Sequence, residues 1–188
     1  MRRAGAANRL RIVGGSLRGR RIRFPDVPGL RTTGDRIRET LFNWLQPWIS
    51  GSRCLDLFAG SGVLGLEARS RGAGQVVLVE RDPEAHACLA QAIDELGIDG
   101  VQLVLADALA WLQGPPRPFD LVFLDPPFAE GLLARCCRLL EEGGWLRPGA
   151  RVYLESDAAA GLPELPAGWA LEREKRSGHV AYGLARRH

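Results

Sequence analysis

No apolar run in these 188 residues approaches the roughly 18 that a helix needs to cross a bilayer, so no segment reads as membrane-spanning. The opening stretch, MRRAGAANRLRIVGG, carries charge but lacks the continuous apolar core of a secretory signal. Cysteine is sparse, and Cys54, Cys88, Cys136 and Cys137 show no C-x-x-C spacing and sit in apolar or helical contexts. Buried, reduced thiols in a cytoplasmic protein are the expectation. Three scattered histidines make no metal cluster, so no metal is expected. Lysine is almost missing: Lys175 stands alone among 25 basic residues. Internal repeats and low-complexity segments are absent too.

What is there has the balance of an ordinary globular protein, 46% hydrophobic and 25% charged, of a length that suits one core. The net charge of +3 hides an asymmetry. Residues 1–38 hold 11 basic residues against Asp26 and Asp35, a balance of 11 − 2 = +9; residues 39–188 hold 14 basic against 20 acidic, a balance of −6. A basic arm on an acidic body is the pattern of a polyanion binder. Its candidate phosphate contacts are Arg9, Arg11, Arg18, Arg20, Arg21 and Arg23, with Arg36 and Arg38 behind them. Residues 1–30 read as this arm and 31–188 as the main domain.

Along the chain, residues 1–9 look disordered, and LRIVGGSLRGRRIRF (10–24) reads as two short strands around a Gly-Gly-Ser turn. Ile37, Leu41, Trp44, Leu45 and Trp48 recur at helical spacing, with Asp35 as the expected N-cap. Strands are then expected at Cys54–Phe58, Val76–Val79, Val101–Leu105 and Leu121–Leu124, alternating with helices near 62–71, 83–96, 107–113 and 130–142. Beyond Gly149, Arg151–Glu155, Trp169–Lys175 and His179–Ala185 read as strands, the last two a hairpin closing the sheet antiparallel. The alternation predicts a doubly wound, Rossmann-like α/β fold with a mainly parallel sheet.

The first of those strands runs into LDLFAGSGVLGLEA, where Gly60, Gly62 and Gly65 form G-x-G-x-x-G. Such a turn lets a ligand approach backbone N–H groups at a helix N-terminus. Glu80 ends the next strand, where an acid can accept both ribose hydroxyls of an adenosine. Asp107 follows the third, either to read an adenine amino group or to cap the next helix. A dinucleotide and S-adenosylmethionine both fit these features. Asp56 decides between them: it would repel a pyrophosphate but attracts a methionyl ammonium and a sulfonium. The cofactor read from these residues is S-adenosylmethionine.

The fourth strand ends in FDLVFLDPPF. The exocyclic amine of a nucleobase is a poor nucleophile because its lone pair is delocalised into the ring. Two acceptors on its N–H groups, the Asp125 carboxylate and the Pro126 carbonyl, would pyramidalise the nitrogen and aim that lone pair. Pro126 and Pro127 fix φ and remove competing donors, and Phe128 offers a face to a flipped base.

The set DLFAGSGVLGLEA…VE…DA…FDLVFLDPPF resembles the class I S-adenosylmethionine-dependent methyltransferases of exocyclic amines, which implies a seven-stranded sheet with an antiparallel last strand. RTTGDRIRETLFNWL (31–45) is similar to the upstream signature of the bacterial small-subunit ribosomal RNA guanine-N2 methyltransferase family, RsmD, and the likeness runs from about Arg11 to REKRSGHVAYGL. The resemblance implies methylation of N2 of guanine 966 in 16S rRNA, presented in the 30S subunit or an assembly intermediate, by a monomer without metal. It assigns Asp56, Gly60, Ser61 and Gly62 to the methionyl part, Glu80 to the ribose, and Asp107 with Ala108 to the adenine edge, with Phe58 and Arg81 completing the cofactor set. Asp125, Pro126, Pro127 and Phe128 become the catalytic loop, and Thr33, Asp35, Arg36 and Arg38 shape its mouth. Two positions depart from the family pattern: Thr32 replaces an expected proline, and Phe128 a frequent tyrosine. A DNA methyltransferase acting on adenine N6 or cytosine N4 is the alternative, although no insertion resembles a DNA target-recognition domain. An NAD-dependent oxidoreductase or an inactive RNA-binding module is a more distant one.

Overall fold

The computed structural model describes residues 8–25 and 33–188. The disorder expected for residues 1–7 and the Thr32 departure lie outside these, whereas Asn8 and Arg9 belong to a strand. Strands β1 (Asn8–Arg11) and β2 (Arg21–Phe24) pair antiparallel, and helix α1 (Asp35–Leu45) follows. Then come β3 (Arg53–Asp56), α2 (Val63–Ser70), β4 (Gln75–Glu80), α3 (Pro83–Leu96), β5 (Val101–Leu105), α4 (Ala108–Trp111) and β6 (Phe119–Leu124). A 3-10 turn at Phe128–Glu130 leads into α5 (Leu133–Glu142), then β7 (Leu146–Asp157), β8 (Trp169–Ser177) and β9 (Val180–Arg187).

The seven-stranded sheet has the order β5-β4-β3-β6-β7-β9-β8. Strands β3 to β7 pair parallel, and β9 is antiparallel to both its neighbours, β7 and β8. The last strand therefore slots inside its hairpin partner, leaving β8 at the edge. The chain winds outward from β3 to β5 and then returns to β6 on the other side, so the switch point lies between β3 and β6.

Two cores cover the two faces. One joins α1, α2 and α3 through Leu41, Leu66 and Leu89 to Cys54, Leu78 and Phe123. The other joins α4 and α5 through Leu112, Cys136 and Leu140 to Leu55, Val122 and Leu154. Sequence detail explains the sharp helix ends. Asp82 caps α3 by accepting from Glu84 N (2.9 Å) and Ala85 N (2.8 Å), Pro83 opens its first turn, and Gly97 ends it at φ 63°.

Several expectations need correction. The N-cap of α1 is Gly34 rather than Asp35, which sits in the first turn and pairs with Arg38 and, at 3.5 Å, with Arg11. A carboxylate there complements the positive helix end without bonding to it. Helix α1 stops before Trp48, which is 38% exposed with the Arg151 guanidinium 3.7 Å from its ring centroid. Strand β7 starts five residues before its expected beginning and passes through Pro148-Gly149, with a register shift between Phe119 and Leu121. Three cysteines are buried as free thiols, but Cys88 is only half-buried, its thiol donating to Arg23 O at 3.3 Å. Among the described residues no helix is long and apolar enough to cross a membrane.

The β1–β2 hairpin is built into the domain. Val13 N donates to Glu67 Oε2 (2.9 Å), Leu17 N to Ser70 Oγ (2.9 Å), and Ser70 Oγ to Gly14 O (2.6 Å). Ile12 and Ile22 are fully buried against α2 and α3.

Candidate active site

Acids close every parallel strand at its carboxyl end: Asp56 on β3, Glu80 on β4, Asp107 just after β5, Asp125 just after β6, and Glu155 on β7. This is the rim where open α/β sheets bind ligands, and the structure gathers the expected site residues along it.

After β3 the loop is stitched to both neighbouring strands, Leu57 N to Phe123 O (3.2 Å) and Ala59 N to Val79 O (2.9 Å). Gly62 turns the chain into α2 at φ 74°, and a Cβ there would stand 2.4 Å from Leu89 Cδ1. Gly65 lets α2 press on the sheet, since a Cβ would meet Leu78 Cδ2 at 2.2 Å. Asp56 is buried and accepts Gly65 N–H at 3.0 Å. Burial pushes its carboxyl up to about 7, opposed by the Gly65 N–H and reinforced by the nearby Glu80 charge.

The Glu80 carboxylate braces two loops, accepting Gly60 N on Oε2 and Asp82 N on Oε1, both at 2.7 Å. Each oxygen retains a second lone-pair direction, which is what a pair of ribose hydroxyls requires. Asp107 Oδ1 caps α4 through Leu109 N and Ala110 N, both at 3.0 Å, so the capping alternative describes that oxygen. Ser61 is buried in the loop, Phe58 half-buried beside the second core, and Ala108 buried at the start of α4. Arg81 grips Glu130 at 2.5 and 3.1 Å, and that bond, with the nearby Asp107 and Glu80 charges, holds its guanidinium above its ordinary range. The donor set is thus acidic, with glycine backbone beside it, and it fits S-adenosylmethionine, a cationic adenosine.

Asp125 and Phe128 are half-buried and Pro126 is buried. Beside them lies a cavity of about 250 Å³, lined by Pro127, Phe128, Leu133, Glu155, Asp157 and Leu162 among others. Thr33 Oγ1 donates to Asp125 Oδ2 at 3.1 Å, which brings the segment before α1 to the Asp125–Phe128 loop. Glu155 and Tyr153 were missed by reading the sequence. The signal was present in RVYLE, an apolar strand ending on an acid as β3 and β4 do.

The arginines divide. In the hairpin Arg9 stands opposite Arg23 and Arg11 opposite Arg21, all exposed, while Leu10, Ile22 and Phe24 turn inward. Like charges directly opposite on a β-ribbon repel, so this outward face concentrates positive charge. Arg18, Arg20 and Arg36 are exposed as well, with Arg20 donating to Glu95 O at 3.1 Å. Arg38 is a correction. It is fully buried and spent on Thr33 O (3.1 Å), Arg11 O (2.8 Å), Asp35 and Glu67, so it cannot reach RNA.

Comparison with known proteins agrees with this geometry. Residues 10–186 match the family described as conserved hypothetical protein 95. The ribosomal RNA small subunit methyltransferase D of Escherichia coli K12 is 48% identical over 181 residues, 96% of this chain and 91% of that protein. That of Haemophilus influenzae is 42% identical, over 95% of this chain and 94% of its own. The solved Escherichia coli protein yhhF is 45% identical, with a TM-score of 0.91 over 96% of this chain and 99% of that one. With nearly its whole length matched and the acidic rim in place, the chain belongs to the conserved hypothetical protein 95 family, that of the small-subunit methyltransferase D proteins, and is a class I S-adenosylmethionine-dependent methyltransferase.

Proposed function

We propose that this enzyme methylates the exocyclic N2 of a guanine in small-subunit ribosomal RNA, guanine 966 of 16S rRNA, within the 30S subunit or an assembly intermediate. It works as a cytoplasmic monomer without a metal. The observation that carries the reading is the Asp125–Phe128 loop, set at the switch-point rim beside the Glu80-braced glycine loop and held by Thr33.

S-adenosylmethionine, when bound, supplies an electrophilic methyl group. The chain does the rest by placement. Asp56 and the Gly60–Gly62 backbone hold the methionyl end, Glu80 the ribose, and Asp107 with Ala108 the adenine edge, with Phe58 and Arg81 flanking. Asp125 and the Pro126 carbonyl accept the N–H groups of the target amine and localise its lone pair, while Pro127 keeps the loop stiff. The base, flipped from its helix, stacks on Phe128 and enters the adjoining cavity. Arg9, Arg11, Arg18, Arg20, Arg21, Arg23 and Arg36 take the phosphates, in line with the outward arginine face of the hairpin.

The test is transfer of radiolabelled methyl from S-adenosylmethionine to 30S particles and to naked 16S rRNA from cells lacking the gene, followed by nucleoside analysis. Label in N2-methylguanosine is the expected result, and the better substrate identifies the form acted on. Label in duplex DNA instead would establish the adenine-N6 or cytosine-N4 alternative.

A further inference from the structure

Thr33 joins two carboxylates that reach it from different strands. It is 3% exposed, and its hydroxyl lies 3.1 Å from Asp125 Oδ2 and 3.4 Å from Glu155 Oε2. The register produces this meeting. Strands β6 and β7 run parallel with Leu124 opposite Leu154, so the residues that follow, Asp125 and Glu155, end side by side. Glu155 is buried, and the Tyr153 hydroxyl donates to the same Oε2 at 2.7 Å.

Two strand-end carboxylates thus meet at one hydroxyl. As the target nitrogen forms its bond to the methyl carbon, the carbon–sulfur bond breaks and sulfur leaves neutral with the electron pair. The nitrogen becomes cationic and must lose one proton, which Asp125, already accepting its N–H, receives first. We propose that Thr33 relays this proton to Glu155: the protonated Asp125 donates to Thr33 Oγ1, and the Thr33 hydroxyl proton passes to Glu155 Oε2. Asp125 is restored as a carboxylate, and Glu155 gives its proton to water once product leaves.

The inference rests on the proposed placement of the amine at Asp125. Thr33 and Glu155 act through Asp125 and are positioning residues. The surroundings suit the role. Arg38 Nε fixes the Thr33 carbonyl at 3.1 Å, so the hydroxyl is held between its two partners. Tyr153 is kept protonated far above its ordinary range by burial and by the Glu155 and Asp125 charges, so it remains a donor to Glu155. Tyr182 backs Tyr153 with ring centroids 6.4 Å apart, and Asp157 lines the same cavity as Glu155.

The experiment compares Thr33→Val, which keeps shape and loses the hydroxyl, with Thr33→Ser, which restores it, and with Glu155→Gln. Two readouts are taken: single-turnover methyl transfer against pH in light and heavy water, and cofactor and RNA affinity by calorimetry. Thr33→Val and Glu155→Gln should slow transfer by about 10- to 100-fold, move the acidic limb of the pH profile, and leave both affinities unchanged. Thr33→Ser should recover wild-type rates. The solvent isotope effect on transfer should be larger in wild type and Thr33→Ser than in Thr33→Val. A wild-type rate and profile in Thr33→Val, or a failure of serine to rescue, would each overturn the relay. Failure of the wild-type enzyme to label guanine would instead overturn the functional reading.

Discussion

Arg38 and Glu67, both completely shielded from solvent, face each other at 3.4 Å between Nη1 and Oε2, and this pair ties α1 to α2 beneath the N-terminal hairpin. Glu67 also accepts from Arg71 Nε (2.8 Å) and Val13 N (2.9 Å), so one buried carboxylate binds three segments. Removing Arg38 takes one of the two cations from Glu67 and the guanidinium donors from the Thr33 and Arg11 carbonyls. Arg38→Met should destabilise the fold by about 1–3 kcal/mol, read from urea denaturation, and should leave the salt dependence of RNA binding unchanged. An altered salt slope with normal stability would put Arg38 among the phosphate contacts after all.

The outward arginines should behave oppositely. Arg21→Ala with Arg23→Ala should flatten the plot of log affinity for RNA against log salt by roughly 0.7–0.9 per lost contact. Stability and cofactor affinity should hold, since both side chains are exposed. Filter binding across a salt series measures the slope.

Asp56, holding the methionyl end as proposed, should make cofactor binding pH-dependent. The unfolded chain releases this proton near the ordinary 3.8, whereas the ligand-free fold keeps it to about 7. Its contribution to stability is therefore full below 3.8 and is lost as pH rises through about 7. A cationic cofactor favours the carboxylate, so binding expels the proton. Affinity for S-adenosylmethionine should rise with pH up to about 7 and level off above it, as calorimetry at several pH values would show. Asp56→Asn should bind more weakly and without this dependence.

Glu80→Gln should weaken cofactor binding by about 10- to 100-fold, the cost of roughly 1.5–3 kcal/mol for hydrogen bonds to a charged group. An amide offers only one accepting oxygen where Gly60 N and Asp82 N each take one now. Calorimetry on the folded variant tests this, with circular dichroism to confirm the fold.

Gly62→Ala should be poorly tolerated, since φ 74° costs an alanine about 1–2 kcal/mol and its Cβ would strike Leu89. Thermal melting should show the loss, and Leu89→Ala in the same chain should relieve only the steric share.

Local pattern was enough for much of this protein. The alternation of apolar runs with capped helices determined the α/β class, because a parallel strand buried on both faces must be continuously apolar and its crossover must be helical. The glycine loop, Glu80 and DPPF were legible because their chemistry is consecutive in the chain. Pro148 and Gly149 hid the start of β7, whose pairing with β6 outweighs local propensity. Only tertiary structure could decide the fate of Arg38, which charge counting assigned to RNA and burial beside Glu67 makes structural. Nor could the sequence place Thr33 between Asp125 and Glu155, separations of 92 and 122 residues along the chain. Contacts of that range depend on which strands become neighbours and in what register, and those are properties of the assembled sheet.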